Sequence, residues 1–172
     1  ARTHMKTKDR TSHRISILWG GDCPEALSTF HTATSIRLAL ARSGYRQVAL
    51  VECGALHWID SLTRETDVAI CSSAGPLGEG GALPGLLEML GLPYVGNSVS
   101  ACAIAQRKSD FKIYCHGLGL KTPEWDILHQ PSDARDVAER LHYPFFVKPN
   151  SQGDSFGVSL VQSPDALDTA VQ

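Results

Sequence analysis

Short apolar runs alternate with helical sequence through the first hundred residues, and this alternation restricts the fold more than any other feature. Ile15–Trp19 reads as a strand that ends in Gly20-Gly21. Pro24 and Glu25 open a helix to about Ser43, with Phe30, Ala33, Ile36 and Leu40 on one face and Gly44 as its stop. Val48–Val51 and Val68–Cys71 are the next strands, and a loop, Ser72–Gly81, follows. Leu83–Leu90 reads as a short helix stopped by Gly91, and Pro93–Val95 as a fourth strand. Ser98 caps a helix through Ala105, and Lys108–His116 forms another, ended by Gly117. Strands this short and apolar, set apart by helices, predict an α/β fold: a parallel sheet with helices on both faces. Ligands of such sheets gather at the C-terminal strand ends. Gly20–Glu25 and Ala74–Gly81 both fall there.

The pattern breaks at Gly117–Pro123, a run rich in glycine and proline with no helical period. It then restarts differently. Trp125–Leu128 reads as a strand, Ser132 caps a helix Asp133–Leu141, and Ser163 caps a last helical start at Pro164–Val171. About fifty residues with one full helix and three strands cannot bury both faces of a sheet. A second, α+β unit is therefore expected to be incomplete within this chain.

Composition narrows the function classes. A chain of 172 residues with 42% hydrophobic and 20% charged residues is ordinary for a globular protein. A net charge of −2 gives no reason to expect nucleic acid or an anionic membrane as partner. No apolar run is long enough to span a bilayer. Ala1–His4 reads as a tag scar and Met5–His13 as a disordered lead-in, so residues 1–14 are expected to precede the fold. The basic, polar start has no apolar core of a secretory signal. The five cysteines are odd in number and lack CxxC spacing, which favours reduced thiols in a cytoplasmic setting. The seven histidines are dispersed, and no metal-ligand spacing stands out.

Tyr143–Val161 carries the chemistry. An apolar run, Pro144–Val147, leads into Lys148, a polar loop Asn150–Gly157, and a second apolar run Val158–Val161. This is strand, glycine-bearing loop, strand. A lysine leaving a buried strand favours an anion nearby. Gly153 and Gly157 let backbone N–H groups approach phosphate oxygens, with Ser155 as a further donor. A surface hairpin with one snorkelling lysine is the equally weighted alternative.

Four segments in order resemble one family. GGDCPE (Gly20–Glu25) stands where the D-alanine–D-alanine ligase-like enzymes of the ATP-grasp superfamily carry GGxSxE. Ala74–Lys108 tracks that family's HGxxGEDGxxQGxLExxGIPYxGxxxxxSAxxMDK, Leu120–Trp125 its IPTPxx linker, and FFVKPNSQGDSFGVSLV its xxVKPxxxGSSxGVxxV hairpin. The resemblance implies an N-terminal α/β substrate domain over residues 15–120 and the start of a central ATP-grasp subdomain over 121–172. It implies an ATP-dependent carboxylate–amine ligase working through an acyl phosphate, with ADP and phosphate released. Lys108 and Lys148 would be the two ATP-phosphate lysines, with Gln152, Gly153, Ser155 and Gly157 in the phosphate loop. Glu25 and Ser155 would be catalytic, and Glu25, Ala74, Glu79 and Asp154 would face the amino-acid substrate. ATP and Mg2+ are the implied cofactors, the metal ligands lying past Gln172. Small amino-acid or amine substrates are the implied partners, with a homodimer through the N-terminal domain.

The departures are local. Ala74 replaces the family's histidine, Asp154 the first serine of its GSSxG loop, and Gly80-Gly81 the DG of its GEDG turn. Cys23-Pro24 is also unlike the small polar residues usual there. An added carboxylate at Asp154 would repel a substrate carboxylate. These changes point to a ligase for a different pair of substrates. The alternatives are standard D-alanyl-D-alanine synthesis for the cell wall and a non-catalytic binding module with the same fold.

Overall fold

The computed structural model describes residues 10–55 and 57–171. The tag scar and most of the lead-in therefore lie outside the described residues. Arg10–Ser12 forms a single 3-10 turn. The chain then packs as two compact units that divide between Ala103 and Ile104.

The first unit is built on four strands: β1 (Arg14–Gly20), β2 (Gln47–Cys53), β3 (Val68–Cys71) and β4 (Tyr94–Val95). They pair in the order β2-β1-β3-β4, all parallel. Its helices are α1 (Ala26–Arg42), α2 (Trp58–Glu65), α3 (Gly75–Gly78) and α4 (Ala82–Met89), followed by α5 (Val99–Gln106), which runs across the division. The side-chain alternation of β1 sorts them onto two faces. Ile15 and Ile17 pack with Ala33, Ile36 and Leu40 of α1. Leu18 packs on the other side with Leu62 of α2 and with Leu83 and Leu87 of α4. Leu18, Leu62, Leu83 and Leu87 are fully buried, each worth about 2 kcal/mol of apolar transfer. Helices thus cover both faces of a parallel sheet, as the alternation requires.

Local chemistry ends the helices. After α1, Tyr45 N–H bonds the Leu40 carbonyl and Gly44 N–H the Ala41 carbonyl, with Gly44 at φ +90°. This paired arrangement satisfies the last carbonyls and needs a left-handed residue. Gly91 repeats it after α4. Two sequence expectations change here. The helix α2, in a stretch to which the sequence reading assigns no element, fills the gap between β2 and β3. The segment read as the loop Ser72–Gly81 contains the helical turn α3.

The second unit holds α6 (Lys108–Gly117), α7 (Ala134–Leu141), β5 (Phe145–Val147), β6 (Ser159–Val161) and α8 (Pro164–Ala170). β5 and β6 form an antiparallel pair, Phe146 opposite Leu160. One face, with Phe145, Val147 and the fully buried Val161, packs on Ala134 and Ala138 of α7 and Leu167 of α8. Phe146 and Leu160 alternate to the other face and are exposed.

Two expectations fail in this unit. Trp125–Leu128 is not a strand: it pairs with no other segment among the described residues, and Ile127 N–H is taken by Asp126 Oδ1 at 2.8 Å. Ser132 does not cap α7. Pro131 opens a 3-10 turn, and Asp133 stands at the helix start. α6 ends at Gly117 as expected, and the left-handed position that closes it falls at Gly119 (φ +69°), where Leu120 N–H reaches the Cys115 carbonyl.

Candidate functional site

In the first unit the residues of interest gather where β1 and β3 end, the point where strand order reverses. Residue 20 is the last of β1 and is buried. Its carbonyl accepts Ala74 N–H at 3.2 Å, so its own N–H leaves the strand on the β3 side. There it meets Thr29 Oγ1 at 2.7 Å, a buried bond. Thr29 in turn donates to the Ala26 carbonyl at 2.7 Å, and its carbonyl accepts Ser72 Oγ at 3.4 Å. One residue of α1 thereby ties the ends of two strands to the helix, by its hydroxyl at β1 and by its carbonyl at β3. Glu25 precedes α1 and is 6% exposed.

Gly21 makes the close approach possible. At φ +131° its backbone lies so near Ala74 that a Cβ would sit 2.7 Å from the Ala74 carbonyl oxygen. Ala74 is buried and extended, at the entry to α3. Glu79 follows that helical turn, and its Oε2 accepts Gly75 N–H at 3.1 Å. Burial, and then a hydrogen bond to Glu25, pushes the Cys23 thiol above its ordinary range. Glu25, Ala74 and Glu79, expected to face a substrate, thus occur on the two adjoining strand-end segments. Thr29 escaped sequence reading because its role is set by what it meets across the turn.

In the second unit the loop after β5 folds onto the start of α6. Lys108 N–H donates to the Asn150 carbonyl at 2.9 Å, and Ser109 N–H to Asn150 Oδ1 at 2.9 Å. Lys108 Nζ donates to the Gln152 carbonyl. Lys148 is exposed, not buried as a lysine at the end of an apolar strand would be. Strand alternation puts it on the outer face with Phe146, and its Nζ lies 5.3 Å from the centre of that ring. Asp154 and Ser155 adopt left-handed backbone, at φ 43° and 63°. Gly157, at φ +66°, passes so close to Pro149 that a Cβ would lie 2.6 Å from its Cγ. Phe156 N–H to the Gly153 carbonyl and Val158 N–H to the Ser155 carbonyl close the loop. Gln152, Gly153, Asp154, Ser155 and Gly157 therefore form one folded loop joined to Lys108. Asp154 is exposed. Asn150 and Gln106 were not singled out in the sequence, although Asn150 lies only two residues past Lys148.

Two ammonium groups flanking a loop of main-chain donors suit a chain of phosphates. A metal is not accommodated in the same way: no group of three or more His, Cys, Asp or Glu that could hold one occurs among the described residues. An open groove of about 790 Å³ in this unit, lined by His116, Trp125, Asp126 and Arg140 among others, includes neither lysine. No helix among the described residues is long and apolar enough to cross a membrane.

Residues 115–172 match the family model described as D-ala D-ala ligase C-terminus. The D-alanine–D-alanine ligase of Geobacter sulfurreducens is 34% identical over 169 residues, 98% of this chain and 53% of that protein. The enzyme of the same name from Ectopseudomonas mendocina is 31% identical over 98% of this chain and 54% of its own length. The D-alanyl-alanine synthetase A of Vibrio cholerae shares the fold at a TM-score of 0.80 and 22% identity, over 95% of this chain and 56% of that one. The D-alanine–D-alanine ligase of Bacillus anthracis, solved in complex with ATP, gives 0.73 at 26% identity, over 92% and 53%. The chain spans about half the length of the curated relatives it matches. In sequence, motif order and fold alike, this chain is D-alanine–D-alanine ligase-like, a member of the ATP-grasp superfamily.

Proposed function

We propose that the protein carrying this chain is an ATP-dependent ligase that joins two D-alanine molecules through an amide bond. The observation that carries the ATP part is the junction of Lys108 with the loop after Lys148. It joins the helix start that carries Lys108 to the loop that follows Lys148, which supports a reading in which both cations and the loop backbone would serve one ligand. Phosphoryl transfer needs mainly positioning and charge neutralisation, which such a cradle supplies. ATP bound there would activate a substrate carboxylate for attack by an amine. The chain's own contributions are to hold the phosphates with Lys108, Lys148 and the 152–157 loop, and to exclude water when that loop is closed. Glu25, buried and fixed at the start of α1, would receive a substrate ammonium group at the strand ends. Glu79 and Ala74 would line the same place, and Ser155 would serve the reacting groups from the loop.

The substrate reading follows the relatives. Those compared are named D-alanine–D-alanine ligase, which favours the standard dipeptide over the different substrate pair that Ala74 and Asp154 first suggested. Asp154 lies exposed on the loop, which weakens its claim to select a substrate. A cytoplasmic setting, in keeping with five free cysteines, and a homodimer through the first unit belong to the same proposal.

The test is ADP release by the full-length protein with ATP and D-alanine. Lys148→Ala is expected to abolish turnover and Lys108→Ala to weaken it strongly, each removing a charge-assisted contact. Unchanged nucleotide affinity in both variants would sink the assignment. Turnover with another amino acid but none with D-alanine would overturn the substrate.

A further inference from the structure

One residue joins the two lysines of the phosphate cradle. Asn150 lies two positions beyond Lys148, at the far side of Pro149. Its carbonyl accepts Lys108 N–H at 2.9 Å. Its Oδ1 accepts Ser109 N–H at 2.9 Å, and its Nδ2 donates to Ser109 Oγ at 3.0 Å. The first residues of α6 thus have their backbone donors answered by the loop, which a helix start otherwise leaves to water. Ser109 Oγ passes the chain on, donating to Asp110 Oδ1 at 3.0 Å, and Asp110 is held by Arg107 Nε at 2.9 Å. Two neighbours run in parallel. Gln106 Nε2 donates to the Ser151 carbonyl at 2.9 Å, and Lys108 Nζ to the Gln152 carbonyl. Residues 150–152 are therefore stitched to residues 106–109 by five hydrogen bonds.

Only a side-chain amide presents an acceptor and a donor from one planar group in this way. These contacts are exposed, so each adds little to stability alone. Their value lies in geometry. They fix the helix start that carries Lys108 against the loop that follows Lys148. Without them, the two lysines are joined only through the intervening chain.

We propose that Asn150 is a positioning residue for nucleotide phosphate: it locks the two ammonium groups into one pair before the nucleotide arrives. The identity of the ligand rests on the ligase reading above; the clasp itself does not. Preorganisation of this kind lowers the ordering cost at binding and improves affinity without a new contact to the ligand.

The experiment uses the full-length protein and a non-hydrolysable ATP analogue, measured by calorimetry. Amide exchange at Lys108 and Ser109, and the KM and kcat of ADP release, are read alongside. Asn150→Ala is expected to weaken analogue binding about tenfold and raise the KM for ATP, leaving that for D-alanine unchanged, while exchange at Lys108 and Ser109 accelerates. Ser109→Ala should do the same to a smaller extent, and the double variant should be no worse than Asn150→Ala. Should Asn150→Ala fail to fold, Asn150→Asp carries the same comparison, keeping the Oδ1 acceptor and losing the amide donor. Wild-type binding with full affinity retained in the Asn150 variant would overturn the proposal. So would strictly additive losses from Asn150 and Ser109. A wild-type protein that does not bind the analogue, with exchange at Ser109 still responding to the variant, would remove the nucleotide role and the ligase reading together.

Discussion

Replacing Thr29 by valine removes one hydroxyl and almost no volume, at the point where α1 meets the ends of β1 and β3. The Gly20 N–H that Thr29 Oγ1 accepts at 2.7 Å lies beyond the last rung of the β1–β3 ladder, which stops at Leu18 opposite Cys71. Valine leaves that buried donor without its acceptor, which costs about 1–3 kcal/mol. Helix propensity hardly changes, since both residues are β-branched. Serine keeps the hydroxyl and loses one methyl, a cost of about 0.8 kcal/mol. The expected order of stability is therefore wild type, then Thr29→Ser, then Thr29→Val. Urea titration read by amide exchange over β1 measures it in the first unit alone. The same variants should separate kinetically in the full-length enzyme. Thr29→Val should raise the KM for D-alanine through the Glu25 turn and leave the KM for ATP unchanged, with Thr29→Ser restoring most of the loss. A valine variant as stable as the serine one would refute the claim that this hydroxyl holds the strand end.

Three further expectations follow from single contacts. Gly157→Ala must place a Cβ against Pro149 at positive φ, so nucleotide affinity in the full-length protein should fall at least tenfold; unchanged affinity would mean that the loop binds in another shape. Asp126 is held below the usual carboxylate range, chiefly by its hydrogen bond from Arg140, so the pair stabilises above the unfolded aspartate value and loses this as pH falls through the folded one. Both side chains are substantially exposed, and Arg140→Ala should cost about 0.5 kcal/mol at pH 7 and nothing near pH 2; a pH-independent difference would rule the pairing out. Burial pushes the Cys53 thiol up to about 12 and the Cys71 thiol up to about 11, leaving roughly one Cys71 in a thousand ionised at pH 8, so both should resist iodoacetamide until urea is added; rapid labelling of either would contradict the packing.

The parallel sheet was legible because β1, β2 and β3 carry short, mainly apolar runs set apart by helical sequence. The hairpin was legible because two apolar runs, Pro144–Val147 and Val158–Val161, flank a glycine-bearing polar loop. The helix Trp58–Glu65 was not, being only two turns long and entered through His57 in a left-handed conformation. Trp125–Leu128 has the composition of a strand, but composition does not supply a ladder partner. The site divides in the same way. Glu25, Lys108 and Lys148 announce themselves by motif. Thr29 and Asn150 act by tertiary hydrogen bonds that link segments far apart in sequence, and nothing in their neighbours foretells the partner. Asp154 misled in the opposite sense, since a substitution noticed in a motif drew a substrate conclusion that its exposed position does not support.

The strand order has a consequence for how the chain is made. β1 leaves the ribosome before its sheet partners, yet it lies inside the sheet, with Ile15 paired to Val48 on one side and Val68 on the other. At synthesis rates of about 5–20 residues per second, its second neighbour does not exist for several seconds after it emerges. During that interval Ile15, Ile17 and Leu18, all bound for full burial, are displayed on an unfinished chain. The segment that anchors the finished sheet is thus an apolar stretch displayed before its partners exist, and a natural place for a chaperone to hold the chain.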